Sequence, residues 1–184
     1  MRTEQELARL CTAGDREAQG ELYAQYASRL YALCYRYVAD RDEAQDLMHD
    51  AMIKAMDSFK LFIYSGDGSL YAWLRRLTVN VVIDRLRQMS KLRLVPIDQT
   101  MEPGYPDTDD DAVDEIPAQI LMDMVAALPS VRRTVFNMYC IDGFSHKDIA
   151  AAIGITEKGS ASILAKARAQ LKSQVNDYLQ RTGR

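Results

Sequence analysis

The chain has 184 residues, of which 48% are apolar, with 26 Asp and Glu against 23 Lys and Arg. That is long enough for one large domain or two small ones, and too apolar to be wholly disordered. No run approaches the ~18 apolar residues of a membrane span, and Met1 to Glu6 lacks the apolar stretch of a secretory signal. Few glycines and prolines favour an all-α fold, and the net charge of −3 argues mildly against a nucleic-acid partner.

The pattern predicts a short helix over 3–13, closed at Gly14-Asp15. From Asp15 to Val38, the residues Leu22, Tyr26, Leu30, Leu33 and Tyr37 step by three or four and define one helical face. Asp42 is placed to cap the next helix, whose inward line is Ala44, Met48, Ala51, Ala55 and Phe59. Ser65-Gly66-Asp67-Gly68 reads as a turn. A third long helix follows from Ser69 to Ser90, with Leu70, Leu74, Leu77 and Val81 inward. Short connections suggest an antiparallel bundle.

The charges are unevenly spread. Residues 1–95 carry 14 basic and 13 acidic side chains. Residues 96–118 carry eight acidic and no basic ones, with four of the five prolines: Pro96, Pro103, Pro106 and Pro117. Residues 119–184 carry nine basic and five acidic side chains. The acidic, proline-rich middle reads as an extended tether between two small helical domains, at 1–95 and 118–184, with the linker at 96–117.

In the second domain, 118–127 look helical and Pro129 suits the first turn of a helix running to Ile141. Gly143 breaks it. Ser145 and Asp148 form a capping-box pattern before Ile149 to Ile153, Gly154 ends that helix, and Thr156 caps the last one. A short helix, a glycine turn and a longer helix make a helix-turn-helix, although ordinary helical hairpins share the pattern.

Between Gly68 and Arg93, six cations (Arg75, Arg76, Arg85, Arg87, Lys91 and Arg93) face a single acid, Asp84. Tyr71, Trp73 and Asn80 lie among them. Cations bind phosphates with release of counterions. Aromatic faces accept unstacked bases, and Asn can read a base edge. The mixture suits melted or single-stranded DNA; the competing reading buries Trp73 in the core beside Leu70, Leu74 and Leu77. Similarly, Asp42 to Asp50 with Met52, Ile53 and Met56 is either an acidic, adaptable docking face or a solvated face over core methionines. Cys11, Cys34 and Cys140 read as small buried apolar residues. Neither they nor His49 and His146 have metal-ligand spacing. No metal, cofactor or small-molecule substrate is expected, no catalytic constellation is seen, and the chain reads as cytoplasmic.

Together these segments resemble the extracytoplasmic-function (ECF) group of bacterial sigma-70 family sigma factors. Asp42 to Asp50 looks like region 2.2 of that family, Gly68 to Arg87 like regions 2.3 and 2.4. Leu128-Pro129, Arg132-Arg133, Gly143-Phe144-Ser145 and Asp148-Ile149-Ala150 look like its sigma-4 domain. The resemblance implies a sigma-2 bundle and a sigma-4 helix-turn-helix. It also implies a promoter-specificity subunit that binds core RNA polymerase, melts promoter DNA and directs initiation. Asp46, Leu47, Asp50 and Ile53 would dock on the β′ clamp helices, with the second domain near the β flap. Tyr71, Trp73, Arg76, Asn80, Arg85 and Arg87 would hold the −10 element, a flipped base sitting against the 65–69 loop. Lys158, Ser160, Ser162, Ile163, Lys166 and Arg168 would meet the −35 element, although Ala161 and Ile163 replace usual basic readers. The tether would thread the polymerase channels. An anti-sigma factor is implied, with the chain held at the inner membrane if that factor is membrane-bound. The alternative is a helix-turn-helix regulator acting without polymerase; it leaves the basic aromatic helix unexplained, as does an inert interaction protein. A DNA recombinase would need a catalytic core that residues 1–60 do not suggest.

Overall fold

The computed structural model describes residues 2–89 and 116–182. Most of the acidic 96–117 tether, together with Lys91 and Arg93, lies outside the described residues. These fall into two compact units that part near Arg85, in the last turns of a helix. Among the described residues every regular element is helical, and no helix is long and apolar enough to cross a membrane.

In the first unit, α1 spans Glu4–Thr12 and is capped by Thr3, whose hydroxyl accepts from Glu6 N at 3.2 Å. Arg2 pins this end to the second helix: its backbone N–H and its guanidinium both donate to Glu21, at 3.2 and 2.7 Å. Those bonds hold the Glu21 carboxyl below its ordinary range. α2 spans Arg16–Val38 under an Asp15 cap, and the predicted face of Leu22, Tyr26, Leu30, Leu33 and Tyr37 is buried throughout.

α3 spans Arg41–Ser58. Its cap is Asp40, which accepts from Glu43 N at 2.9 Å. The expected cap, Asp42, sits inside the first turn instead. Ala39 adopts a left-handed conformation, φ 56°, so the chain reverses sharply and Asp40 already has the extended backbone a cap requires. The helix dipole still favours Asp42 where it is. The inward line Ala44, Met48, Ala51, Ala55 and Phe59 is buried as expected.

A single 3₁₀ turn, Phe59–Leu61, leads through the glycine loop to α4, Ser69–Gln88. Leu70 and Leu74 are buried, but Leu77 and Val81 are only half-buried. The wall continues instead through Thr78, Val79, Val82, Ile83 and Leu86. Thr78 can lie in the core because its hydroxyl donates to Leu74 O at 2.8 Å, leaving no unpaired polar group.

In the second unit, α5 spans Ala118–Ala126 and α6 spans Ser130–Phe136. Pro129 stands at the cap of α6, one residue ahead of its first turn. The predicted run to Ile141 is correct in extent, but Asn137–Ile141 wind as a π-helical turn. The wide turn carries Tyr139, Cys140 and Ile141 outward. Cys140 is therefore exposed, contrary to expectation, whereas Cys11 and Cys34 are buried. Arg133 is buried, its guanidinium donating to the carbonyls of Ala126 and Leu128, which ties α6 to the end of α5.

α7 spans His146–Ile153 and begins with the predicted capping box, Ser145 and Asp148 exchanging bonds of 3.1 Å in both directions. Gly154, at φ 74°, supplies the left-handed residue that ends it. α8 spans Glu157–Thr182, with Thr156 accepting from Gly159 N at 3.0 Å. Val135, Met138, Ile149, Leu164 and Ala167 form the core under α8.

Candidate nucleic-acid interface

Helical spacing places Trp73, Arg76, Asn80 and Arg87 within about a quarter-turn of one another on α4. Arg76, Asn80 and Arg87 are exposed and Trp73 is half-buried. Arg85 is exposed too, but lies about half a turn round from Arg76. Of the DNA-facing arginines expected on α4, Arg76 and Arg87 thus share a face with Trp73 and Asn80, and Arg85 lies apart.

Trp73 satisfies parts of both readings made of it. Its ring centroid lies 5.1 Å from that of Phe59 and 5.3 Å from that of Phe62, so it is anchored in an aromatic cluster while remaining partly open. Tyr71 is differently placed. The Arg29 guanidinium carbon sits 3.6 Å above its ring centre, and Tyr26 stacks at 6.1 Å. A base could stack on the Arg29 side of Tyr71 only by displacing Arg29.

The loop before α4 has two left-handed glycines, Gly66 at φ 121° and Gly68 at φ 87°. Tyr64 donates to Asp67 at 2.8 Å within it. Leu61 and Ile63 are strongly exposed at its start. Glu4 of α1 reaches this loop: its carboxylate accepts from Gly68 N at 2.8 Å, Leu70 N at 2.6 Å and Ser69 Oγ at 3.4 Å. Nothing in the local spacing of α1 or α4 pointed to Glu4, Arg29 or Phe62. Each acts through a contact distant in sequence or outside the basic motif.

On α3, Asp46, Asp50 and Ile53 are exposed and share one face, Ile53 at 62%. Leu47 does not join them. It is 2% exposed and packs inward with Ala44, Met48 and Ala51, because it sits one residue, about 100°, round the helix from Asp46. Met52 is also buried and Met56 half-buried, so the methionines are largely core. His49 Nε2 lies 3.1 Å from the Tyr23 hydroxyl, which adds a half-exposed aromatic from α2 to this face.

On α8, Lys158 and Arg168 are exposed, and Ser162, Ile163 and Lys166 half-buried. Ser160 is fully buried and bonded to His146 Nδ1 at 2.9 Å. It is therefore a fastener within the helix-turn-helix and not a base reader. Arg168 lies 3.6 Å from Cys140 Sγ, with the Tyr139 ring 5.9 Å away.

An open-faced basic helix with a glycine loop, followed by a helix-turn-helix, is an arrangement suited to binding DNA. In keeping with this, residues 22–91 match the Sigma-70 region 2 family and residues 118–171 match the Sigma-70, region 4 family. The ECF RNA polymerase sigma factor SigM of Mycobacterium tuberculosis is 30% identical over 170 residues, covering 92% of this chain and 83% of that protein. The ECF RNA polymerase sigma-E factor of Escherichia coli is 26% identical over 192 residues, covering 97% of each chain. Among solved structures, CnrH in complex with the cytosolic domain of CnrY has the same fold, with a TM-score of 0.51 at 20% identity over 95% of this chain and 97% of that one. RpoE of Bartonella quintana, in complex with the anti-sigma factor NepR, matches at a TM-score of 0.51 and 20% identity, covering 85% and 96%. The chain belongs to the ECF group of sigma-70 family RNA polymerase sigma factors. Its function is to bind core RNA polymerase and promoter DNA and to direct transcription initiation.

Proposed function

We propose a division of this work among the residues described. Asp46, Asp50 and Ile53 on α3 dock the first unit on the β′ clamp helices, an acidic rim around one exposed apolar anchor. The α4 face of Trp73, Arg76, Asn80 and Arg87, with the 65–69 loop beside it, holds the opened non-template strand of the −10 element. Arg85 contacts a phosphate from the flank, and Tyr71 contributes through its pairing with Arg29. In the second unit, Lys158, Lys166 and Arg168 meet phosphates of the −35 element while Ser162 and Ile163 approach the bases.

Residues 1–95 and 118–184 act as the two working domains and 96–117 as the acidic tether, whose charge suits a channel that later carries RNA. An anti-sigma factor masks the DNA-facing surfaces and the chain works in the cytoplasm; the fold neighbour bound to NepR supports the first of these. The observation that carries the reading is the single α4 face that unites a half-open indole, two guanidinium groups and an amide.

Reconstitution with sigma-free core polymerase on a randomised promoter library tests it. Specific initiation, with Asp50→Ala and Ile53→Ala weakening core binding and Asn80→Ala weakening −10 selection, supports the assignment. Core binding unaffected by the α3 changes, or −10 selection unaffected by Asn80→Ala, overturns the corresponding part.

A further inference from the structure

We propose that Glu4 is a positioning residue for promoter opening: from α1, it sets the shape of the 65–69 loop without touching DNA. This rests on the proposed placement of that loop at the −10 element. Glu4 lies ahead of the region 2 match at residues 22–91.

Bonds within the loop, Tyr64 to Asp67 and Ser69 N to Gly66 O at 3.1 Å, shape its turn but leave the N–H groups of Gly68 and Leu70 to an outside acceptor. Gly66 and Gly68 both have positive φ, a conformation that glycine adopts freely and therefore also leaves freely. The first turn of α4 exposes backbone N–H groups that need acceptors, and Gly68, just before the helix, has no side chain to offer one. Glu4, 64 residues away, supplies both oxygens: one takes Gly68 N at 2.8 Å, the other Leu70 N at 2.6 Å. Ser69 Oγ approaches the second oxygen at 3.4 Å and itself accepts from Ser65 N at 3.3 Å. The start and the end of the loop are thus gathered on one carboxylate. A charged acceptor at a helix N-terminus is favoured by the dipole and makes the stronger class of hydrogen bond.

The platform is firm. Leu7, Ala8 and Cys11 bury the inner face of α1, and Arg2 anchors its start to Glu21.

The test uses the full chain with core polymerase on promoters carrying single-base changes in the −10 or the −35 element. Opening is followed by 2-aminopurine in the −10 element and core affinity by fluorescence anisotropy. Glu4→Ala should slow opening about tenfold, the scale of losing bonds to a charged group. It should flatten the −10 base preference while leaving −35 preference and core affinity within about twofold. Glu4→Gln keeps one acceptor oxygen and should fall between; if Glu4→Ala does not fold, Glu4→Gln carries the test. Unchanged −10 preference in the folded variants overturns the proposal, as does a core affinity that falls in step with opening. A wild-type chain without −10 preference would instead sink the placement of the loop and, with it, this inference.

Discussion

His146 and Ser160 join the two helices of the helix-turn-helix, His146 Nδ1 lying 2.9 Å from Ser160 Oγ. The imidazole also stacks on Tyr139 at 4.4 Å between centroids. The bond links the first turn of α7 to the first turn of α8, so the approach of the recognition helix is set from inside the domain. Ser160→Ala should destabilise the second unit by about 1 kcal/mol, the usual net value of a buried hydrogen bond. The −35 base preference should persist. Thermal unfolding and a −35 substitution panel separate the two; a changed preference at unchanged stability would make Ser160 a reader after all.

Leu47 and Ile53 should part company in the same way. Leu47→Ala removes a fully packed side chain and should destabilise the first unit by about 2–5 kcal/mol. Ile53→Ala, at an exposed position, should change stability by no more than about 0.5 kcal/mol yet weaken core binding. Denaturant melts beside a core-binding titration decide this, and equal core-binding losses at matched folded fraction would return Leu47 to the interface.

Arg85 and Arg87 are expected to serve DNA. The double change to Ala should weaken promoter opening and lower the salt dependence of promoter binding by about two units of slope. Core binding should survive. Loss of core binding instead would show that α4 faces the polymerase.

The cysteines give a test of the fold alone. Burial pushes the Cys34 thiol up to about 12 and the Cys11 thiol up to about 11, Asp15 adding to the latter. A group raised in this way stays a neutral, unreactive thiol at ordinary pH. Native protein should therefore label at Cys140 only, with the other two reacting on unfolding; mass spectrometry after brief alkylation reads this directly. Rapid labelling of Cys34 in the native chain would contradict the packing of α2.

Element order, the helix-turn-helix and its capping box were legible in the sequence because each rests on local chemistry: apolar spacing, a Ser with Asp three residues on, a glycine past a helix end. The misplaced details have another origin. Leu47 and Ser160 belong to motifs whose neighbours do face outward, and one helical step decides core against surface. Thr78 displaced Leu77 from the buried wall of α4 because its hydroxyl bonds within its own helix, which polarity scales do not register. Cys140 was carried outward by a π-helical turn with no sequence signature in the apolar period. Glu4 and Arg29 became visible only when α1 and α2 were packed against α4.

The reach of Glu4 to the loop has a practical side. A change anywhere in α1 that shifts Glu4 would release both loop bonds at once, at a distance of more than sixty residues along the chain. Such a change would pass for a promoter phenotype although it touches no DNA-facing residue. Variants in α1 are therefore best scored for promoter opening as well as for stability.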